Sequence, residues 1–273
     1  MVNSTNKEYG KIFFDDTKLF HGIGFDLLRF ISIMRYGILS EHAAKELNID
    51  MPRNFPGYNL DDTVSVTIAP GIFGNFEVGA YNTFVKNGIQ FVISNIEAIK
   101  AEPGSIRDSH FVDERFVNDR IPLENIEGII FPMDALHKPI SSLPIDLKNM
   151  ELSLVDKRCT KIISGLREEC SYLGDTKPLI DLIHKKDQFI KSQPYFSERT
   201  EEEEKRIVGY EKIIIGDMER FMQKYQGDAF SAKFGKKSAT LLDVVKEYVP
   251  ENMKLYNSNG KAANIERDNR DSR

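Results

Sequence analysis

Two short stretches carry side chains suited to chemistry. In Leu19-Phe20-His21-Gly22 an apolar run of strand length ends in a histidine followed by a residue without a side chain. Such a strand end lets a ligand approach the backbone at the glycine while the imidazole hydrogen-bonds it. The second stretch runs from His110 to Val117. If it is extended, Val112, Glu114 and Phe116 share a face, which sets a carboxylate between two apolar neighbours. A carboxylate so placed needs a partner or a task. Taken singly, each stretch also fits a structural role, as a satisfied histidine or a salt-bridged glutamate.

Other chemistries are excluded by what is missing. Gly22-Ile23-Gly24 follows a strand and precedes a helix, but the third glycine position of G-x-G-x-x-G is Leu27. No acidic residue on a second βαβ strand completes a dinucleotide fingerprint, and no G-x-x-x-x-G-K-[ST] loop occurs. There is no G-x-S-x-G elbow, and histidines 21, 42, 110, 137 and 184 show no local pairing to a Cys or Ser that would suggest a triad. Asp15-Asp16 and Asp61-Asp62 read as turn and cap residues. The two cysteines, Cys159 and Cys170, cannot build a disulfide framework, and no C-x-x-C or H-x-x-x-H spacing offers a metal site. Their spacing lets both face a core rather than act as reactive thiols.

The elements that must position His21 and Glu114 can be read from periodicity. Leu19 to His21 is a strand candidate ended by Gly22 and Gly24. Asp26 is placed to cap a helix whose apolar positions Leu27, Phe30, Ile31, Met34 and Ile38 follow helical spacing, with Gly37 at its end. Residues 64–69 alternate, with Val64, Val66 and Ile68 on one face and Ser65, Thr67 and Ala69 on the other. Ile89 to Ile93, Phe111 to Val117 and Ile126 to Phe131 complete a strand set with irregular connections, which predicts an α+β sheet rather than a βαβ series. Beyond residue 150 the periods lengthen. Thr200 and Glu203 form a capping box, and Glu201 to Glu204 reads as a solvated helix start. Positions 207, 210, 214, 218, 221, 222 and 225 make one apolar stripe. Segments 178–191 and 239–249 read as further amphipathic helices. Three regions follow: a mixed region over 15–135, a helical region over 150–256, and a polar, disordered tail over 257–273.

The succession of motifs resembles the ADP-ribosyltransferase superfamily, particularly its histidine-containing branch. In that family a strand ending in His-Gly, here Leu19-Phe20-His21-Gly22, precedes a helix ending in a turn like Tyr36-Gly37-Ile38-Leu39-Ser40. A later strand bears the catalytic glutamate, with I-P-x-x-x-I-x-G-I just beyond it, here Ile121 to Ile129. The resemblance covers about residues 17–133 and rests on the order and spacing of short motifs. It implies a split β-sheet core, with an α-helical C-terminal region outside it. It also implies transfer of ADP-ribose from NAD to a protein side chain with release of nicotinamide. NAD is then a substrate and no metal is needed. On this resemblance Glu114 is the catalytic carboxylate and His21 hydrogen-bonds a ribose hydroxyl. The Gly22 backbone holds the nicotinamide amide, and Ser65 and Thr67 line the pocket. Tyr81, ahead of Phe73 and Phe84, stacks on the nicotinamide ring. Members that modify arginine often carry Glu or Gln two residues before the glutamate; Val112 stands there, which weighs against arginine as the acceptor.

Composition bears on partners and location. The chain has 273 residues, with 37 basic and 42 acidic side chains and a net charge of −5. A mildly acidic chain favours a protein acceptor over nucleic acid, whose phosphates require a basic surface. No stretch approaches the roughly 20 apolar residues of a membrane span, and the N-terminal residues lack the apolar segment of a cleavable signal. The expectation is a soluble, cytoplasmic-type protein. Family members of this kind are often bacterial toxins or effectors delivered into a host or target cell without such a signal. Two alternatives stand beside this reading. One is a transferase directed at nucleic acid, or a 2′-phosphotransferase-like enzyme, which needs Arg29, Arg35, Arg53, Arg107, Arg115 and Arg120 to gather beside the pocket. The other is an inactive interaction protein on the same fold, in which His21 stands exposed and far from Glu114.

Overall fold

The computed structural model describes residues 17–49, 62–67, 88–100, 114–145, 147, 152–171, 174–257 and 262–263. These form two compact units. One comprises the residues up to His137 together with those from Leu241 onward, and the other is Lys138–Thr240.

In the first unit, a seven-stranded sheet has the order β5-β6-β3-β1-β4-β8-β9. Its strands are β1 (Leu19–Ile23), β3 (Thr63–Thr67), β4 (Ile89–Ile93), β5 (Ile99–Lys100), β6 (Glu114–Asn118), β8 (Ile126–Phe131) and β9 (Lys254–Asn257). All neighbours are antiparallel except β8 and β9. The mostly antiparallel sheet with separate helices makes this an α+β fold. β1 runs through Gly22 to Ile23 instead of stopping at the glycine, because Gly22 and Ile23 pair with Gln90 and Ile89 and the Ile23 side chain is buried. For the strand expected from Phe111, the described part begins at Glu114; residues 111–113 lie outside the described residues, as do 68 and 69 after β3.

Helix α1 (Leu27–Tyr36) follows β1 and lies against one face of the sheet. Asp26 caps it, its Oδ1 accepting from Arg29 N at 3.1 Å. Phe30 stacks on Phe91 of β4 with ring centroids 6.1 Å apart and meets Phe131 of β8 edge-on at 6.0 Å. These three rings are fully buried and anchor the helix by apolar burial. The chain then reverses at Gly37 into β2 (Ile38–Leu39), which pairs with β7 (Arg120–Ile121), the strand just past β6. Ser40 caps the short α2 (Glu41–Glu46), and its own N–H donates to Asp119 O at 2.8 Å. The turn after the first helix and the I-P segment after β6, about eighty residues apart in sequence, are thus joined.

Residues 241–256, expected in the helical region, belong to this first unit. Helix α7 (Leu241–Tyr248) packs on the short α3 (Met133–Leu136), and Arg35 of α1 lies over the Tyr248 ring at 5.8 Å. Strand β9 completes the sheet edge, where Glu127 pairs with both Lys18 at 2.6 Å and Lys254 at 2.8 Å. Of the expected tail, Asn257 closes β9, Ala262 bridges Tyr256, and Ala263 N donates to Leu255 O at 2.8 Å. Residues 258–261 and 264–273 lie outside the described residues.

The second unit is built on α4 (Leu152–Glu169), α5 (Lys177–Lys191) and α6 (Glu201–Lys233). The Thr200–Glu203 capping box opens α6: Thr200 Oγ1 accepts from Glu203 N, and Glu203 Oε2 accepts from Thr200 N at 2.8 Å. Of the expected stripe, Ile207, Ile214, Met218, Met222 and Tyr225 are buried. Tyr210 is half exposed and stacks on Phe189 of α5. Both cysteines are buried and unpaired, and burial pushes the Cys159 thiol up to about 12. Among the described residues no helix is long and apolar enough to cross a membrane.

Candidate functional site

The three strands that carry the motif residues are neighbours in the sheet, in the order β6-β3-β1. β1 pairs with β4 along its whole length, and β3 pairs with β6 along its whole length, but β1 and β3 are in register only at Phe20↔Thr67. The sheet therefore opens between β1 and β3 just where the chain reaches His21 and Gly22.

The imidazole of His21 spans that opening. Its Nδ1 lies 2.8 Å from the carbonyl oxygen of Ser65 on β3. A carbonyl only accepts, so Nδ1 carries the proton and Nε2 presents its lone pair. The Arg29 guanidinium, on the third position of α1 past the cap, donates toward that lone pair with Nη2 at 3.4 Å. Burial, and then the positive charge of Arg29, hold the His21 pKa down to about 4, against a smaller upward pull from the Ser65 carbonyl. The ring is accordingly neutral at physiological pH, with a fixed tautomer and a positive charge beside it.

This depression has a consequence for stability. Between pH 6.5 and about 4 the unfolded chain takes up a proton at His21 that the folded protein refuses. The stabilisation is fully present above the unfolded value, declines as pH falls, and is gone once pH passes below the folded value. Its ceiling is on the order of 3 kcal/mol. Urea unfolding across this window is expected to show a steeper loss of stability in the native protein than in His21→Asn; parallel curves would show that the ring titrates normally.

Strand alternation sorts the remaining positions. Gly22 shares the pleat of Phe20, and Ser65 shares the pleat of Thr67, which is in register with Phe20. Thr67 is also in register with Glu114, so position 114 falls in the row Phe20–Thr67–Glu114, two strand spacings or about 10 Å from β1. Gly22, Ser65, Thr67 and position 114 therefore belong to one face. His21 has the opposite parity, that of Phe91 under α1, and reaches β3 only because the ladder is interrupted there. The backbone of Glu114 opens β6, while its side chain lies outside what the structure describes, and so do Tyr81, Phe73 and Phe84.

Three groups were not placed by the sequence reading. Arg29, read only as one of several arginines that could gather beside a pocket, lies in the first turn of α1 and reaches the His21 ring across the connection from β1. Gln90 is a buried amide on β4, opposite Gly22, and a lone polar residue inside the apolar run Ile89–Ile93 was its signal. His42, Glu46 and Asp119 bring potential metal-ligand atoms within 4.8 Å of one another, His42 and Glu46 being one helical turn apart. There Arg120 already bonds Asp119 at 2.7 Å and lies 3.7 Å from Glu46, so a cation occupies the carboxylates. Compared with protein-family models, curated proteins and solved structures, the chain matches none.

Proposed function

We propose that this protein is a mono-ADP-ribosyltransferase that uses NAD as its donor and a protein side chain as its acceptor. The observation that carries the reading is the adjacency of β6, β3 and β1, which brings motif residues far apart in sequence onto three neighbouring strands. The pairing of the Gly37 turn with the I-P segment supports it, because these are two further parts of the same motif series.

In this reading the bond from ribose C1′ to the nicotinamide nitrogen breaks, and its electron pair leaves with nicotinamide. The acceptor's lone pair forms the new bond to C1′, and the acceptor gives up a proton. Positive charge develops on the ribose as the first bond stretches, and the Glu114 carboxylate stabilises it. The Gly22 backbone holds the carboxamide, and Ser65 and Thr67 line the same pleat. Neutral His21 accepts a hydrogen bond from a ribose hydroxyl at Nε2, where the hydroxyl takes the place of the Arg29 guanidinium that lies 3.4 Å from that lone pair. The net charge of −5 suits a protein acceptor.

Incubation of the native protein with NAD labelled in the adenylate moiety, together with cell lysates, is expected to place label on protein and to release nicotinamide in equal amount. Label on nucleic acid would redirect the acceptor class, and absence of both label and nicotinamide across lysates would overturn the proposal.

A further inference from the structure

Gln90 is the one polar side chain in the run Ile89–Ile93, and it is 1 % exposed. Among the described residues its Nε2 has no hydrogen-bond partner. An unsatisfied buried amide is costly, and Leu or Met would fill such a strand position without that cost. The register explains why the amide stays unsatisfied. Its partner on β8 is Ile130, whose side chain offers no acceptor, and its partner on β1 is Gly22, which has no side chain. A second buried polar atom without a partner, Thr63 Oγ1, lies on β3 on the pleat of Ser65.

We propose that Gln90 is a recognition residue of the Gly22 subsite, donating a hydrogen bond through Nε2 to a carbonyl oxygen of the bound ligand. The chemistry selects a neutral acceptor. Gln90 carries no charge to offset a buried phosphate, whereas the guanidinium of Arg29 lies on the other side of the sheet with His21. Resting on the transferase reading, the acceptor is the carboxamide oxygen of the nicotinamide ring, so Gln90 contributes to the choice of NAD over analogues altered at that atom.

The test compares the native protein with Gln90→Leu and Gln90→Met. It measures the Kd for NAD by calorimetry, KM and kcat for nicotinamide release, and the stability of the unliganded chain. Thionicotinamide adenine dinucleotide, which has sulfur in place of the carboxamide oxygen, is the second probe. The variants are expected to be at least as stable as the native chain, to bind NAD roughly tenfold more weakly, and to keep kcat. Native protein is expected to favour NAD over the thio analogue, a preference the variants lose. Unchanged NAD affinity in the variants, or retained discrimination, overturns the proposal while leaving the transferase reading intact. Marked destabilisation of both variants also overturns it, since Gln90 would then be bonded within the fold. Failure of the native protein to bind NAD overturns the transferase reading and removes the acceptor with it.

Discussion

Glu114→Gln is expected to lower nicotinamide release from NAD by roughly 100- to 1,000-fold while leaving KM within a few-fold of the native value. The amide matches the carboxylate in size and keeps the backbone of position 114, which pairs with Thr67 at the start of β6. What it removes is the negative charge. In the ground state the positive charge of NAD is spread over the nicotinamide ring and the ribose is uncharged; as the glycosidic bond breaks, that charge moves onto the ribose and the carboxylate's attraction grows. In the transition state the ribose approaches an oxocarbenium ion, and the loss of a placed carboxylate falls mostly there. Glu114→Asp separates charge from position: it keeps the carboxylate but withdraws it by one methylene, and an intermediate rate is expected. Equal rates for native and Glu114→Gln would remove Glu114 from the chemistry.

Two central strands of the sheet were legible because their burial is regular. Ile89–Ile93 and Ile126–Phe131 are short, dense in β-branched and aromatic residues, and occupy those bounds. Helix α1 was equally legible, since an aspartate cap, a helical apolar stripe and a terminal glycine all indicate the same element. Less legible was everything that depends on strand order. That His21 reaches Ser65 rather than solvent follows from β3 lying beside β1, and no local periodicity encodes that adjacency. The same holds for β9: Lys254-Leu255-Tyr256-Asn257 has only one large buried side chain, Leu255, yet a parallel ladder with β8 draws it into the sheet. The helical region was therefore expected to run on to residue 256, where the fold instead returns to the sheet. The interruption between β1 and β3 is a property of two strands together, and alternation within either one is silent about it.

The junction that holds the far end of β6 is expected to be the most sensitive point of the first unit. Gly37→Ala should destabilise it by roughly 3 to 5 kcal/mol, a large share of a typical domain's stability. Gly37 ends α1 with φ of 78° and ψ of −170°, a conformation that side chains strongly disfavour. A Cβ there would also stand 2.2 Å from the carbonyl oxygen of Ile121, a backbone atom with no rotamer to escape through. Relief requires β7 to move, and Ile121 is tied to Ile38 across the β2–β7 pair. Arg120 precedes it, and Asp119 before that holds Ser40 N and Asp62 O through its backbone, so displacement of β7 pulls on the end of β6. Gly24→Ala is the control in the same unit: a Cβ built there meets nothing within 4 Å, and near-native stability is expected. Chemical unfolding of the three proteins distinguishes the cases. A Gly37→Ala midpoint indistinguishable from that of Gly24→Ala would mean the α1 turn is not locked to the strand beyond Glu114. With the lock absent, the positioning of β6 by the Gly37 turn would lose its structural basis.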